Sequence, residues 1–133
     1  MFTTTEVNKD LSRFTATMWS LDQLGLPKGF NGPISYSLFV NDIMDDSGLE
    51  EEYVMDSDGN LVAYYAWCVS QDLHHKGLIL DVNSVVINPS LKPKGLHKFL
   101  TKRFKDLAVL NDCNWVSRAK HEDGTVRVFF KEV

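Results

Sequence analysis

The segment from Ile87 to Leu100, INPSLKPKGLHKFL, gathers two prolines, two lysines and a glycine before an amphipathic pattern begins. Pro89 and Pro93 have no backbone N–H to donate, so a strand arriving through GLILDVNSVVI must stop near Asn88. Pro93 also holds Lys92 extended. Gly95 lacks a Cβ and lets a ligand come close to the backbone. A helix starting there exposes first-turn amides that have no intrahelical acceptor. Those amides, the positive end of the helix dipole, Lys92 and Lys94 together make a site for phosphate or pyrophosphate. The competing reading is a plain strand-to-helix loop that binds nothing.

Other residues with chemical potential carry less. Asp81 and Asp72 lie near the ends of the central strand region and suit a base acting through water, or ordinary solvated or capping carboxylates. His74 and His75 are adjacent, and neighbours on a strand face opposite ways, which makes a poor chelate. With no further His or Cys at ligand spacing, no metal site is expected. Cys68 and Cys113 sit in apolar company and read as small buried hydrophobes. Trp19, Trp67 and Trp115 read as core or interface anchors. His121 and Glu122, beside Arg118 and Lys120, read as loop charge.

The elements that must position these residues come from a chain of 133 residues, 44% hydrophobic, with a net charge of −4. That suits one domain over residues 1–133 with a real core. A mildly acidic chain is not a general nucleic-acid binder, so any basic feature must be local. No run is long and apolar enough for a membrane span, and the N-terminus lacks a signal-type apolar region. Residues 8–24 place Leu11, Phe14, Met18, Leu21 and Leu24 at helical spacing. Residues 34–43 are ambiguous between strand and helix, and the acidic stretch Asp42 to Glu52 reads as a solvated connection. EEYVMD, DSDGN and LVAYYAWCVS form a β-hairpin around Asp58-Gly59. After the strand ending at Asn88, Leu96, Phe99, Leu100, Phe104, Leu107 and Ala108 share one helix face. NWVSRA is a short strand, and the tail GTVRVFFKEV fits either a helix or a last strand. The order implies an α+β domain with a mixed, mostly antiparallel central sheet flanked by helices.

The stretch LDVNSVVINPSLKPKGLHKFLTKRF resembles the central segment of the GCN5-related N-acetyltransferase (GNAT) family. In that family a hydrophobic-x-V-x-P strand leads through R/Q-x-x-G-x-G/A into a long helix. The resemblance implies that the loop amides hold the pyrophosphate of acetyl-CoA and that a splayed strand pair takes its pantetheine arm. Lys92 falls at the R/Q position, Gly95 at the first glycine and His97 at the G/A position. The amides carried over are those of Lys94, Gly95, Leu96 and His97, and the N–H of Val86 or Ile87 would serve the oxyanion. Asp81 is the candidate base. The tail is similar to the family's late helix, and WVSRAKHEDGTVRVFFKE is also similar to small GNAT-like proteins of tailed bacteriophages.

The departures are specific. His97 stands where glycine or alanine is usual, and Lys92 lacks the fork of a guanidinium. Phe129 and Phe130 stand where active members often carry a proton-donating tyrosine, and the chain has no tyrosine after Tyr65. The GNAT-like domain is short at its C-terminus. Two functions follow from the resemblance. One is transfer of acetyl from acetyl-CoA to an amine acceptor. The other is a GNAT scaffold without catalysis, serving as a virion component or as a phage-encoded inhibitor with a protein partner. Either sits in host cytoplasm or a virion, with no nucleic acid or membrane as partner.

Overall fold

The computed structural model describes residues 1–122 and 125–133. In chain order the elements are β1 (Thr3–Glu6), α1 (Arg13–Leu24), α2 (Pro33–Ser47), β2 (Glu50–Met55), β3 (Leu61–Ser70) and β4 (Leu78–Ile87). Then come α3 (Leu96–Leu110), β5 (Cys113–Glu122) and β6 (Thr125–Glu132). The six strands form one mixed sheet in the order β1-β2-β3-β4-β5-β6. β1 pairs antiparallel with β2, β4 parallel with β5, and β5 antiparallel with β6. The α+β class with a mixed sheet and flanking helices is therefore the observed one. The chain forms two compact units, Met1–Tyr64 with Val86–Pro93 and Tyr65–Val85 with Lys94–Val133.

In the first unit, Ser12 caps α1 by accepting the Phe14 amide at 3.0 Å, one of the orphan donors of a helix start. The Tyr53 hydroxyl donates to Ser12 O at 2.6 Å and accepts from the Ala16 amide at 3.3 Å, which fastens α1 to β2. Tyr53, Val54, Val62 and Ala63 are wholly buried. The buried positions of α1 are Ala16 and Thr17, while Phe14 and Leu24 are exposed. Of the periodic stripe expected over residues 8–24, Leu11, Met18 and Leu21 are half-buried and Phe14 and Leu24 exposed, and residues 8–12 precede the helix. The ambiguous stretch 34–43 is helical, with Pro33 at its first turn and Gly48 in the left-handed conformation at its end. Asp42–Ser47 belong to that helix and Glu50–Glu52 to β2, so the acidic stretch is not a loop.

In the second unit, α3 buries Leu96, Leu100, Phe104, Leu107 and Ala108. They share a core with Tyr65, Ala66, Ile79, Leu80 and Val82, and the Tyr65 and Phe104 rings meet edge to face at 5.0 Å. Each large side chain buried this way stabilises by about 1.5–3 kcal/mol. The tail is a strand. Trp115 to Glu122 pair with Glu132 back to Thr125, so cross-strand partners override the helical spacing of Val126, Phe129, Phe130 and Val133. The likeness of the tail to a late helix is corrected accordingly, and Gly124 lies outside the described residues. His121 and Glu122 belong to β5 rather than a loop. His74 and His75 lie in the β3–β4 connection rather than on a strand.

Candidate functional site

β4 and β5 begin as parallel neighbours, from Leu78↔Cys113 to Val82↔Arg118. Both strands continue past the last of these pairs, β4 to Ile87 and β5 to Glu122. Asn83 to Val85 and Ala119 to Glu122 thus form the two arms of a parted pair. Along the edges that face each other, a parallel pair that opens in this way no longer joins strand to strand, while Ala119 to Glu122 keep their pairing with β6 on the other edge.

α3 starts in the same unit. Gly95 is its N-cap at φ 82° and ψ 1°, a left-handed conformation that favours glycine. It supplies no side-chain acceptor, and the first turn has no acidic residue. The first backbone bond of the helix runs from the Phe99 amide to Gly95 O at 2.9 Å. A Cβ built on Gly95 would meet nothing within 4 Å, so the helix start faces open space. Lys94 and His97 are exposed, whereas the Leu96 side chain is 3% exposed and belongs to the core, so only its amide is available to a ligand.

Val86, Ile87 and Lys92 belong to the first unit. Val86 and Ile87 are half-buried at the end of β4, and Ile87 O accepts from Gln23 Nε2 at 2.8 Å. Lys92 is exposed. Asn88, read from sequence only as a strand end, is an anchor. Its amide donates to Val62 O at 2.9 Å, its Nδ2 to Leu61 O at 3.0 Å, and its Oδ1 accepts the Ser90 amide at 2.9 Å. The last bond is the Asx-type turn that lets the chain leave the sheet.

Asp81 is half-buried on β4, and its Oδ1 accepts the Ser117 hydroxyl at 3.0 Å across the paired part of β4 and β5. Asp72 serves the connection instead. Its carboxylate accepts the amides of His74 and His75 and pairs with His75 Nδ1 at 2.9 Å. The His75 ring stacks on Phe130 at 3.8 Å and meets Trp115 edge-on at 4.8 Å. Burial pushes the thiols of Cys68 and Cys113 above their ordinary pKa, with Asp81 and Asp112 respectively adding to the effect. Both are therefore poor nucleophiles at neutral pH.

Sequence reasoning missed a second polar cluster, in the first unit. The Arg13 Nε donates to Glu51 Oε1 at 2.6 Å, and its Nη1 reaches Asp45 at 2.9 Å and Asn41 Oδ1 at 3.1 Å. The Tyr64 hydroxyl donates to the same Glu51 oxygen at 2.7 Å. Burial and Glu51 push the Tyr64 phenol far above its ordinary value, so it remains a donor. Nothing in the spacing of positions 13, 45, 51 and 64 announces this cluster, because the sheet and two helices assemble it. Among the described residues there is no group of three or more His, Cys, Asp or Glu able to hold a metal, and no helix long and apolar enough to cross a membrane.

A sheet whose fourth and fifth strands run parallel and then part, joined by a connecting helix and preceded by two helices and a hairpin, has the GNAT fold. Solved structures agree. A putative acetyl transferase from Pyrococcus furiosus superposes with a TM-score of 0.70 over 92% of this chain and 85% of its own, at 8% identity. A GNAT family acetyltransferase from Staphylococcus aureus gives 0.65 over 99% and 98%, at 13% identity. A predicted acetyltransferase with acetyl-CoA from Clostridium acetobutylicum gives 0.63 over 93% and 84%, also at 13% identity. At such identities the likeness is one of fold. No protein-family profile matches the chain. The chain is 63% identical over 123 residues to Protein 7 of Escherichia phage T7, which spans 92% of each sequence. It belongs to the family of that phage protein.

Proposed function

We propose that this chain is an acetyl-CoA-dependent N-acetyltransferase that acts on an amine acceptor, with residues 1–133 working as one GNAT-like domain. The observation that carries this reading is the uncapped start of α3 at Gly95, open to its surroundings, in the unit where β4 and β5 part. The residues present fit the cofactor. The amides of Lys94, Gly95, Leu96 and His97 receive the pyrophosphate, with Lys92 and Lys94 adding positive charge. The imidazole of His97, exposed on the first turn, serves in this reading as a further donor rather than as a plug. Bound acetyl-CoA supplies an activated thioester.

The N–H of Val86 or Ile87 is the candidate donor to an oxyanion. Asp81 is the candidate base, acting through water. Its carboxylate already accepts the Ser117 hydroxyl, which holds it in place and leaves its second oxygen for that water. No phenol follows Tyr65, so the departing thiolate takes its proton from solvent.

One observation favours a second reading, a GNAT scaffold that has lost catalysis and serves as a virion component or a phage-encoded inhibitor of a host protein. The tail that would carry the phenol in a late helix is instead β6, with Phe129 and Phe130 in its place. Either role places the protein in host cytoplasm or a virion.

Calorimetry and melting with acetyl-CoA separate the two. An acetyl-CoA concentration a hundredfold above Kd adds about 2.7 kcal/mol of apparent stability. Lys94→Glu, a change at an exposed side chain, should weaken binding by about tenfold without moving the melting temperature of the free protein. No response at millimolar acetyl-CoA removes the enzyme reading and leaves the scaffold.

A further inference from the structure

A cavity of about 320 Å³ lies in the second unit, walled by α3, β5 and β6. That is the low end of the range for small-molecule sites, roughly 300–1,000 Å³. None of the residues assigned above to acetyl-CoA lines it. The β5–β6 register sets Arg118 opposite Phe129 and Val116 opposite Lys131, so these four share one sheet face, and Lys105 of α3 joins them at the wall. Three cations, Arg118, Lys105 and Lys131, therefore line one cavity in a chain whose overall charge is negative, and the single acidic residue of the lining, Glu132, stands opposite Trp115 on the alternate face of the sheet.

Arg118 distinguishes this from ordinary surface charge. Its guanidinium carbon lies 5.3 Å above the Phe104 ring, and Phe104 is 1% exposed at the core. The arginine is half-buried, yet among the described residues no carboxylate forms an ion pair with it. Burial lowers its pKa. Arg13 shows the settled case in the same protein, with Glu51 and Asp45 both bound. A partly desolvated guanidinium without an anion is unfavourable. Stacking on Phe104 also fixes its fork in advance, which lowers the entropy lost when a carboxylate or phosphate arrives. Beside it Phe129 and Val133 are 54% and 39% exposed and offer an apolar wall.

We propose that this cavity binds a small organic anion, its acidic group forked by Arg118 and its flat apolar body lying on Phe129 and Val133. The shared chemistry covers aromatic carboxylates and aromatic phosphates alike. The bland alternative is an arginine that merely roofs Phe104 with its stem. The proposal does not rest on the acetyltransferase reading.

The test uses the whole protein with 2-naphthoate, neutral 2-naphthamide, phenyl phosphate and inorganic phosphate, followed by calorimetry and backbone amide shifts. Saturable naphthoate binding, about tenfold tighter than either naphthamide or inorganic phosphate, is expected. Shifts should centre on Val116 to Arg118 and Phe129 to Val133. The ratio of phenyl phosphate to naphthoate affinity tells which acidic group the fork prefers. Arg118→Met should abolish the advantage of naphthoate over naphthamide without lowering the melting temperature. Equal affinity for naphthamide, equal affinity for bare phosphate, or shifts centred elsewhere would overturn the proposal. These three outcomes are read on the wild-type protein, so they decide the matter even if the variant fails to fold.

Discussion

At the scale of residues, Arg13 and Arg118 pose opposite problems for the same side chain. Arg13 is 18% exposed and Glu51 is 8% exposed. Burial alone would push the Arg13 pKa down, but the bonds and charges of Glu51 and Asp45 more than reverse it. Arg13→Met would leave the Glu51 carboxylate buried with only the Tyr64 hydroxyl. Breaking a buried pair from one side costs about 3–5 kcal/mol, and the side chains here are not fully buried, so about 3 kcal/mol is expected. Urea unfolding of the variant checks this, and a loss below about 1 kcal/mol would mean that water reaches Glu51 readily. Removing Arg118 should carry no such penalty, because among the described residues no carboxylate is left stranded by its loss.

At the scale of elements, the β3–β4 connection depends on one glycine. Gly77 has φ 96°, and a Cβ there would lie 2.1 Å from Asn114 Oδ1 and 2.7 Å from its Cγ. Gly77→Ala must therefore both strain the backbone and displace Asn114, the neighbour of Trp115, whose Nε1 donates to Lys76 O at 3.1 Å. A loss of about 2 kcal/mol is expected, with roughly half restored when Asn114→Ala is added. A double-mutant cycle reads this directly, and an absence of coupling would show that Asn114 swings aside freely. This constraint is hidden in HHKGLIL because it depends on a strand 37 positions away. α3 was legible, since Leu96, Leu100, Phe104 and Leu107 are buried at the spacing that the sequence displays. So were the hairpin and the glycine at the helix start. β1 was not legible, because TTTE is polar and becomes a strand only by pairing with Tyr53 and its neighbours. β6 was not either, because helical spacing and strand propensity coincide in VRVFFKEV. The position of Arg118 over Phe104 also needed the fold, for helix spacing shows a buried Phe104 but not what covers it.

At the scale of the whole molecule, charge is divided unevenly. The first unit carries four Lys and Arg against eleven Asp and Glu, and the second ten against seven. The modest overall figure therefore hides a local basic surplus, as a mildly acidic composition permits. Acid should act on both units through carboxylates bound in their turns. Asp56 is held below its ordinary pKa chiefly by the Asn60 amide, against slight desolvation, with the Asn60 side chain and the Asp58 amide helping. For Asp72, desolvation pushes upward and is outweighed by bonds from His75 and the amides of His74 and His75. Folded pKa values below the unfolded ones mean stability that is present above the ordinary carboxylate range and is lost as pH falls through the folded values. Stability should thus decline from about pH 4 downward. In Asp56→Asn/Asp72→Asn it should start lower at pH 7 and fall less steeply on acidification. Urea midpoints from pH 7 to pH 2.5, at constant m-value, measure both slopes. Parallel slopes in variant and wild type would mean that other carboxylates govern acid unfolding and that these two turns contribute nothing to it.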